Sequence, residues 1–387
     1  MTTPRSYPKA LCSLFGRCGG CANQNVEYGK QLRNKRKMLF ERLAHMCATD
    51  CIEPVVGLTP PFGYRTRLLM PAIPDGRREP PFRLGLYERH SSRLLDVAGC
   101  PVQHPLTLAT AAMVQQVLAS SPITATAPNS DKGWLHGLGV RVDPQSGAAE
   151  VTLVGKSHTI PGGNEIARRI VMLPGVSGVH LSVNPGRSSY LLGDEHVHLA
   201  GNKRTVFHLA NQAFHVSAGA FFQTSLTGAE ILVEQVLGML PTRFPHLADL
   251  YGGVGVFARL TEERWNKAIV AESNPYAVAD LHEWIEQTGC RSLRVARGRT
   301  EDVMHEVLEP HPDVVILDPP RSGCHPRVIS ELGRIDSATI LYIACSLDAL
   351  VRDGNLLLDA GYRIDRVSSV DMFPHTDHLE VVVRFVR

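Results

Sequence analysis

After about residue 205 the chain settles into one repeating pattern: a short, strongly apolar run, then a helical stretch, then another such run. Asp249-Leu-Tyr251, Ala268-Ile-Val-Ala-Glu272, Val314-Val-Ile-Leu-Asp318 and Ile340-Leu-Tyr-Ile-Ala344 read as strands, and a VVVRF run at 381–385 closes the series. Strands separated by helix-length crossovers pair in parallel and wind with one hand, covering both faces of the sheet. This alternation predicts a doubly wound α/β domain, with ligands bound beyond the carboxyl ends of its strands.

The first half has a different texture. Between 134 and 200 the runs LGVRVD, AEVTLVG, GVHLSVN and VHLAG are separated by Gly, Pro and Asn turns. That spacing predicts a central antiparallel β domain. Residues 104–119 read as a helix stopped by Ser120-Ser-Pro122. Residues 24–48 read as a basic helix with Leu32, Leu39, Leu43 and Met46 on its apolar face. The expected division is a basic cysteine-bearing segment at 1–103, which includes the start of the central domain, the central β domain at 104–205, and the doubly wound domain at 206–387.

With 44% hydrophobic and 20% charged residues among 387, the chain can bury a core and is neither disordered nor collagen-like. No apolar run nears the roughly 18 residues of a membrane span. The opening MTTPRSYPKALCSLFGRC lacks the apolar stretch of a secretory signal, so the cytoplasm is expected. The net charge of +2 hides an asymmetry. Residues 1–100 hold 16 Lys/Arg against 8 Asp/Glu, and the remainder holds 24 against 30. The basic excess gathers in Lys35-Arg-Lys37 and in Arg65, Arg67, Arg77, Arg78, Arg83, Arg89 and Arg93. A region that grips a polyanion such as RNA would look like this, and so would a solvated basic face.

Nine cysteines in uneven spacing do not form a secreted disulfide framework. Cys12, Cys18 and Cys21 are close enough for their thiolates to converge, and Gly19-Gly20 allow a tight turn. Cys100, followed by Pro101, is the best candidate for a fourth ligand. Three clustered cysteines with a distant fourth before a proline fit iron–sulfur ligation better than the paired knuckles of a zinc ribbon. A reduced, non-ligating group of thiols is the alternative.

Leu247-Ala-Asp-Leu-Tyr-Gly-Gly-Val-Gly-Val-Phe257 ends a strand and opens a helix through three glycines. The spacing is not that of a dinucleotide fingerprint, and no phosphate-gripping lysine follows. An acidic residue ahead of the glycines suits an amine or sulfonium. Glu272, at the end of the next strand, stands where a ribose-binding carboxylate is expected. Together they favour S-adenosylmethionine over NAD. Three more segments fall at strand ends: Asp318-Pro-Pro-Arg-Ser-Gly323, Cys345-Ser346, and Pro374-His-Thr-Asp-His-Leu-Glu380. Taken singly, each has a structural explanation: a turn cap, a buried thiol, a surface carboxylate.

Taken in order, with Phe221-Phe-Gln223 ahead of them, these segments resemble the RNA (uracil-5-)-methyltransferase family over nearly the whole chain. Cys12, Cys18, Cys21 and Cys100 resemble the four [4Fe-4S] ligands of its 23S ribosomal RNA branch, which the transfer RNA branch lacks. The resemblance implies a Rossmann-like catalytic domain using S-adenosylmethionine on RNA, with Cys345 as the nucleophile and Glu380 as the base. It implies that Asp318 and Gln223 orient cofactor and pyrimidine, and that Tyr251 and Glu272 bind cofactor. It implies RNA as partner, with neither DNA nor membrane, and a monomer. Where the family usually reads Cys-Asn-Pro, this chain has Cys345-Ser346-Leu347; Gly252 and Val256 likewise replace a common Cys and Asn. A transfer RNA enzyme, a base-nitrogen methyltransferase and a non-catalytic RNA-binding factor are the competing readings.

Overall fold

A computed structural model describes residues 10–76, 81–126, 132–186, 190–335 and 339–387. Its contacts divide the chain into two compact units that are not consecutive stretches. One comprises residues 1–25, 60–219 and 224–226; the other comprises 26–59, 220–223 and 227–387.

The second unit is the doubly wound domain. Its eight strands lie in the order Ile52–Val56, Arg363–Val370, Glu380–Val386, Thr339–Ala344, Val314–Leu317, Phe244–Leu250, Trp265–Glu272 and Leu293–Arg297. All neighbours are parallel except Glu380–Val386, which runs antiparallel to both its partners. The central strands read VVIL and TILYIA and are almost wholly buried, because helices cover both faces of a sheet built this way. Strand order reverses between Phe244–Leu250 and Val314–Leu317, and such switch points open a crevice at the strands' carboxyl ends. The alternation in the sequence therefore gives the expected α/β architecture. The edge strand Ile52–Val56 and the helix Tyr28–Leu43 also belong to this unit, although they lie far away in sequence.

The first unit carries a six-stranded sheet in the order Phe82–Leu84, Arg67–Pro74, Leu135–Val142, Ala149–Gly155, Val176–Val183 and Glu195–Gly201. It is antiparallel except at one pair. Ala149–Gly155 and Val176–Val183 run parallel, joined through the short helix Glu165–Val171. The expected all-antiparallel sheet is corrected at this point: a helix in the connection reverses the return direction. Helix Pro105–Ala119 forms as read, with Pro at its first position and the His104 ring capping the Leu106 amide at 3.3 Å.

Candidate active site

At the end of strand Phe244–Leu250 the chain turns through Tyr251 and three glycines into helix Val256–Leu260. Tyr251, Gly253 and Gly255 all have positive φ. At Gly252 a Cβ would lie 2.6 Å from the Val270 side chain and 3.0 Å from the Asp249 carboxyl carbon, so a larger residue here would require these side chains to shift. Asp249 lies beneath this loop with no exposed surface. Its Oδ2 accepts from the Ala258 amide at 3.0 Å, while Oδ1 is buried without a hydrogen-bond partner. An orphaned buried carboxylate oxygen is costly unless something cationic or hydrogen-bonding arrives. Burial, with Asp318 and Glu272 nearby, pushes Asp249 up to about 7.

Glu272 ends the adjacent strand and ties the loop down. Its Oε2 accepts from the Gly253 amide at 2.8 Å, and its Oε1 accepts from the Ser273 and Asn274 amides at 2.7 and 2.6 Å. Tyr251, Gly253, Glu272 and Asp318 together line a cavity of about 740 Å³, closed further by Phe221, Thr300, Glu301 and His325. The Tyr251 hydroxyl accepts from the His325 amide at 3.3 Å. The sequence reading missed Thr300, Glu301 and His325. Thr300 and Glu301 open a helix just after strand Leu293–Arg297, so the strand-end rule was the signal available. Gln223 is half-buried in segment 220–223, beside Phe222, but is not one of the residues lining this cavity.

Cys345 follows strand Thr339–Ala344 directly, and Ser346 caps the next helix, its Oγ accepting from the Ala349 amide at 3.4 Å. Glu380 opens the neighbouring antiparallel strand. Since Ala344 pairs with Val381, the register brings Cys345 opposite Glu380 at one end of the sheet. The Cys345 thiol lies within reach of the Glu380 charge. Burial, then the negative charges of Glu380 and Asp318, pushes the Cys345 thiol up to about 11, against the pull of Arg321. Burial and Asp318 push Glu380 up to about 8, again opposed by Arg321. Arg321, within the Asp-Pro-Pro-Arg turn, is thus the cation shared by the thiol and the carboxyl, and its guanidinium lies 3.3 Å from His378 Nε2. Burial raises Asp318 to about 7.

In the first unit Cys12, Cys18, Cys21 and Cys100 are all half-buried free thiols. Burial is the main cause raising Cys21, to about 11, and the charges of Cys100, Cys18 and Cys12 add to it. Cys100 is raised by burial and by Cys12 and Cys18. Cys21 and Cys100 therefore lie within reach of the charges of Cys12 and Cys18. The Gly20 amide donates to Cys18 Sγ, and Gln24 bridges the Cys12 amide and Cys21 Sγ. Among the described residues no group of three or more His, Cys, Asp or Glu is arranged to hold a single metal ion. No helix among them is long and apolar enough to cross a membrane.

A switch-point cavity beside a glycine loop and two acidic strand ends defines a doubly wound methyltransferase-type α/β domain. The comparisons are more specific. The tRNA (uracil-5-)-methyltransferase family model matches residues 202–387, which span most of the doubly wound unit. It is similar to an RNA methyltransferase of Bacillus cereus, described as uncharacterized, with 28% identity over 98% of this chain and 83% of the relative. A comparable Listeria monocytogenes protein is 29% identical over 97% and 83%. Among solved structures, the Pyrococcus abyssi tRNA (uracil-54, C5)-methyltransferase in complex with S-adenosyl-L-homocysteine superposes with a TM-score of 0.77. Its identity is 25%, over 96% of this chain and 86% of that one.

Proposed function

We propose that this protein uses S-adenosylmethionine to methylate C5 of a uridine in RNA, through a covalent bond between Cys345 and C6. The observation that carries the reading is the register of Ala344 with Val381, which faces a thiol with a carboxyl where the sheet opens. The cofactor fits the residues present. The buried Asp249 oxygen lacks a partner, Glu272 stands at the ribose position, and the acidic surroundings suit a sulfonium. When bound, that sulfonium supplies an electrophilic methyl group.

Uracil C5 is a weak nucleophile. The thiolate of Cys345 adds to C6, and the electrons of the C5–C6 double bond move to C5 and the adjoining carbonyl. C5 would take the methyl group as the carbon–sulfur bond of the sulfonium breaks, the electron pair remaining on sulfur. The Glu380 carboxylate then removes the C5 proton, the double bond reforms, and the thiolate leaves. Sulfur suits both roles, as strong nucleophile and competent leaving group. Asp318 and Gln223 orient the pyrimidine and cofactor, and Tyr251 and Glu272 hold the cofactor. The base must be splayed out of its stack for C6 to be reached.

The substrate is 23S ribosomal RNA, on the strength of the four-cysteine set. Cys12, Cys18, Cys21 and Cys100 fit a [4Fe-4S] cluster: each iron takes its own thiolate, so the ligands need not converge on a point. Burial first, and then the neighbouring thiolates, raise Cys21 and Cys100, and the positive core of a cluster would offset both. Transfer RNA is the second reading, favoured by the matching family's description and by the Pyrococcus neighbour. Base-resolved mass spectrometry of 23S and transfer RNA from a deletion strain, before and after treatment with the purified protein, tests both. The reading predicts 5-methyluridine restored in 23S RNA only. Restoration in transfer RNA favours the second, and a methyl group on a base nitrogen contradicts both.

A further inference from the structure

The buried stripe of helix Tyr28–Leu43 changes chemistry halfway along. Leu39 and Leu43 join the apolar core of the second unit, but the preceding positions on the same stripe are Gln31 and Lys35. These are 3% and 5% exposed. Lysine is almost never so buried unless paired. Lys35 Nζ donates to Asp371 Oδ1 and to the His378 carbonyl, at 2.7 Å each. Gln31 Oε1 accepts from the His375 amide at 3.0 Å, while its Nε2 donates to the Val26 carbonyl at 2.7 Å and lies 3.1 Å from His375 Nδ1. The Tyr28 ring, one turn earlier, has its centroid 6.0 Å from that of His375.

Three of these partners, Asp371, His375 and His378, lie in one connection, residues 371–379, between strands Arg363–Val370 and Glu380–Val386. Val370 and Glu380 pair across its base, so Glu380 is the residue at which this hairpin re-enters the sheet. At its middle His375 has φ 67°, a left-handed conformation rarely adopted by a residue with a side chain. Strain of this kind persists only where the surroundings over-determine it. The Gln31 contact to that residue's own amide supplies the constraint.

We propose that Gln31 and Lys35 are positioning residues for Glu380, fixing the 371–379 hairpin so that the carboxylate is held for proton removal. The inference rests on Glu380 being the base. Cys345 follows a different strand, Thr339–Ala344, so loosening the hairpin should spare thiol addition and methyl transfer and slow only the final elimination. Two variants test it in single turnover on substrate RNA: Gln31→Leu, and Lys35→Met with Asp371→Leu, which removes both members of the ion pair and strands no buried charge.

The expected result is adduct formation within about twofold of the unaltered protein and release slowed by on the order of 10²-fold, the scale of a misplaced reacting group. A protein–RNA adduct should then accumulate on ordinary, unfluorinated RNA, as it should in Glu380→Gln. Release at the unaltered rate in both variants would overturn the proposal. So would a parallel loss of addition and release, which marks general damage. If Glu380→Gln itself accumulates no adduct, the assignment of the base fails, and this inference with it.

Discussion

Four carboxyl groups gather at the carboxyl end of the parallel strands, and three of them are held well above the ordinary carboxylate range. Asp249 and Asp318 stand at about 7 and Glu380 at about 8, each chiefly because burial penalises the charged form. A carboxyl with a pKa near 7 is mostly neutral at pH 6 and mostly ionised at pH 8. A bound cation favours the ionised form, so linkage tightens cation binding as pH rises through this window. S-adenosylmethionine carries a positive sulfur, and S-adenosylhomocysteine does not. Calorimetric titration should show the affinity ratio of the first to the second rising about tenfold from pH 6 to pH 8, the change in ionised fraction of one such group. A flat ratio would mean that these carboxyls do not face the sulfonium. At this scale the sequence was informative about residue types: Asp249, Glu272, Asp318, Cys345 and Glu380 were all legible as strand-end residues. It was silent about their environment. Nothing in the string Asp-Leu-Tyr-Gly-Gly reveals that one Asp249 oxygen has no partner, because that depends on the Ala258 amide taking only the other.

Among the elements, those built from local pattern were legible and those built from distant pairing were not. The buried strands and the helix Pro105–Ala119 follow from periodicity and caps. The antiparallel insertion of Glu380–Val386 beside Thr339–Ala344 does not, and it is that register which joins Cys345 to Glu380. The short helix Glu165–Val171, opening just after Gly162 and Gly163, hid the one parallel pair of the first unit. The helix Tyr28–Leu43 misled most. Its lysines and arginines read as a surface for RNA, yet Lys35 faces inward to Asp371. Burial pushes Lys35 down and Asp371 up, and their attraction opposes both shifts. The cysteine segment makes a prediction at this level. Protein purified without oxygen should be brown and carry about four irons per chain, and replacing Cys21 and Cys100 with serine should remove them. A colourless protein with one zinc would contradict the cluster.

Across the molecule, the charge asymmetry has a mixed explanation. Part of the basic excess is spent internally. Arg17 and Arg93 pair with Glu88, and Arg83 pairs with Asp75. Arg67 is pushed down to about 10 by burial and by neighbouring Arg141 and Arg65, with Glu150 opposing. Exposed pairs of this kind contribute little stability, and their cations are engaged by carboxylates before any phosphate arrives. Arg77 and Arg78 lie outside the described residues. The acidic excess of the remainder is better accounted for, because Glu272 and Asp318 line one cavity and Asp249 and Glu380 lie at neighbouring strand ends. The central claim is covalent catalysis by Cys345. RNA substituted with 5-fluorouracil tests it most directly, since fluorine at C5 cannot leave as a proton and elimination stops. With S-adenosylmethionine present, the account predicts a denaturation-resistant protein–RNA adduct, mapped by peptide mass spectrometry to Cys345 and absent from Cys345→Ala. Undiminished methyl transfer by Cys345→Ala, with no adduct in the unaltered protein, would contradict it.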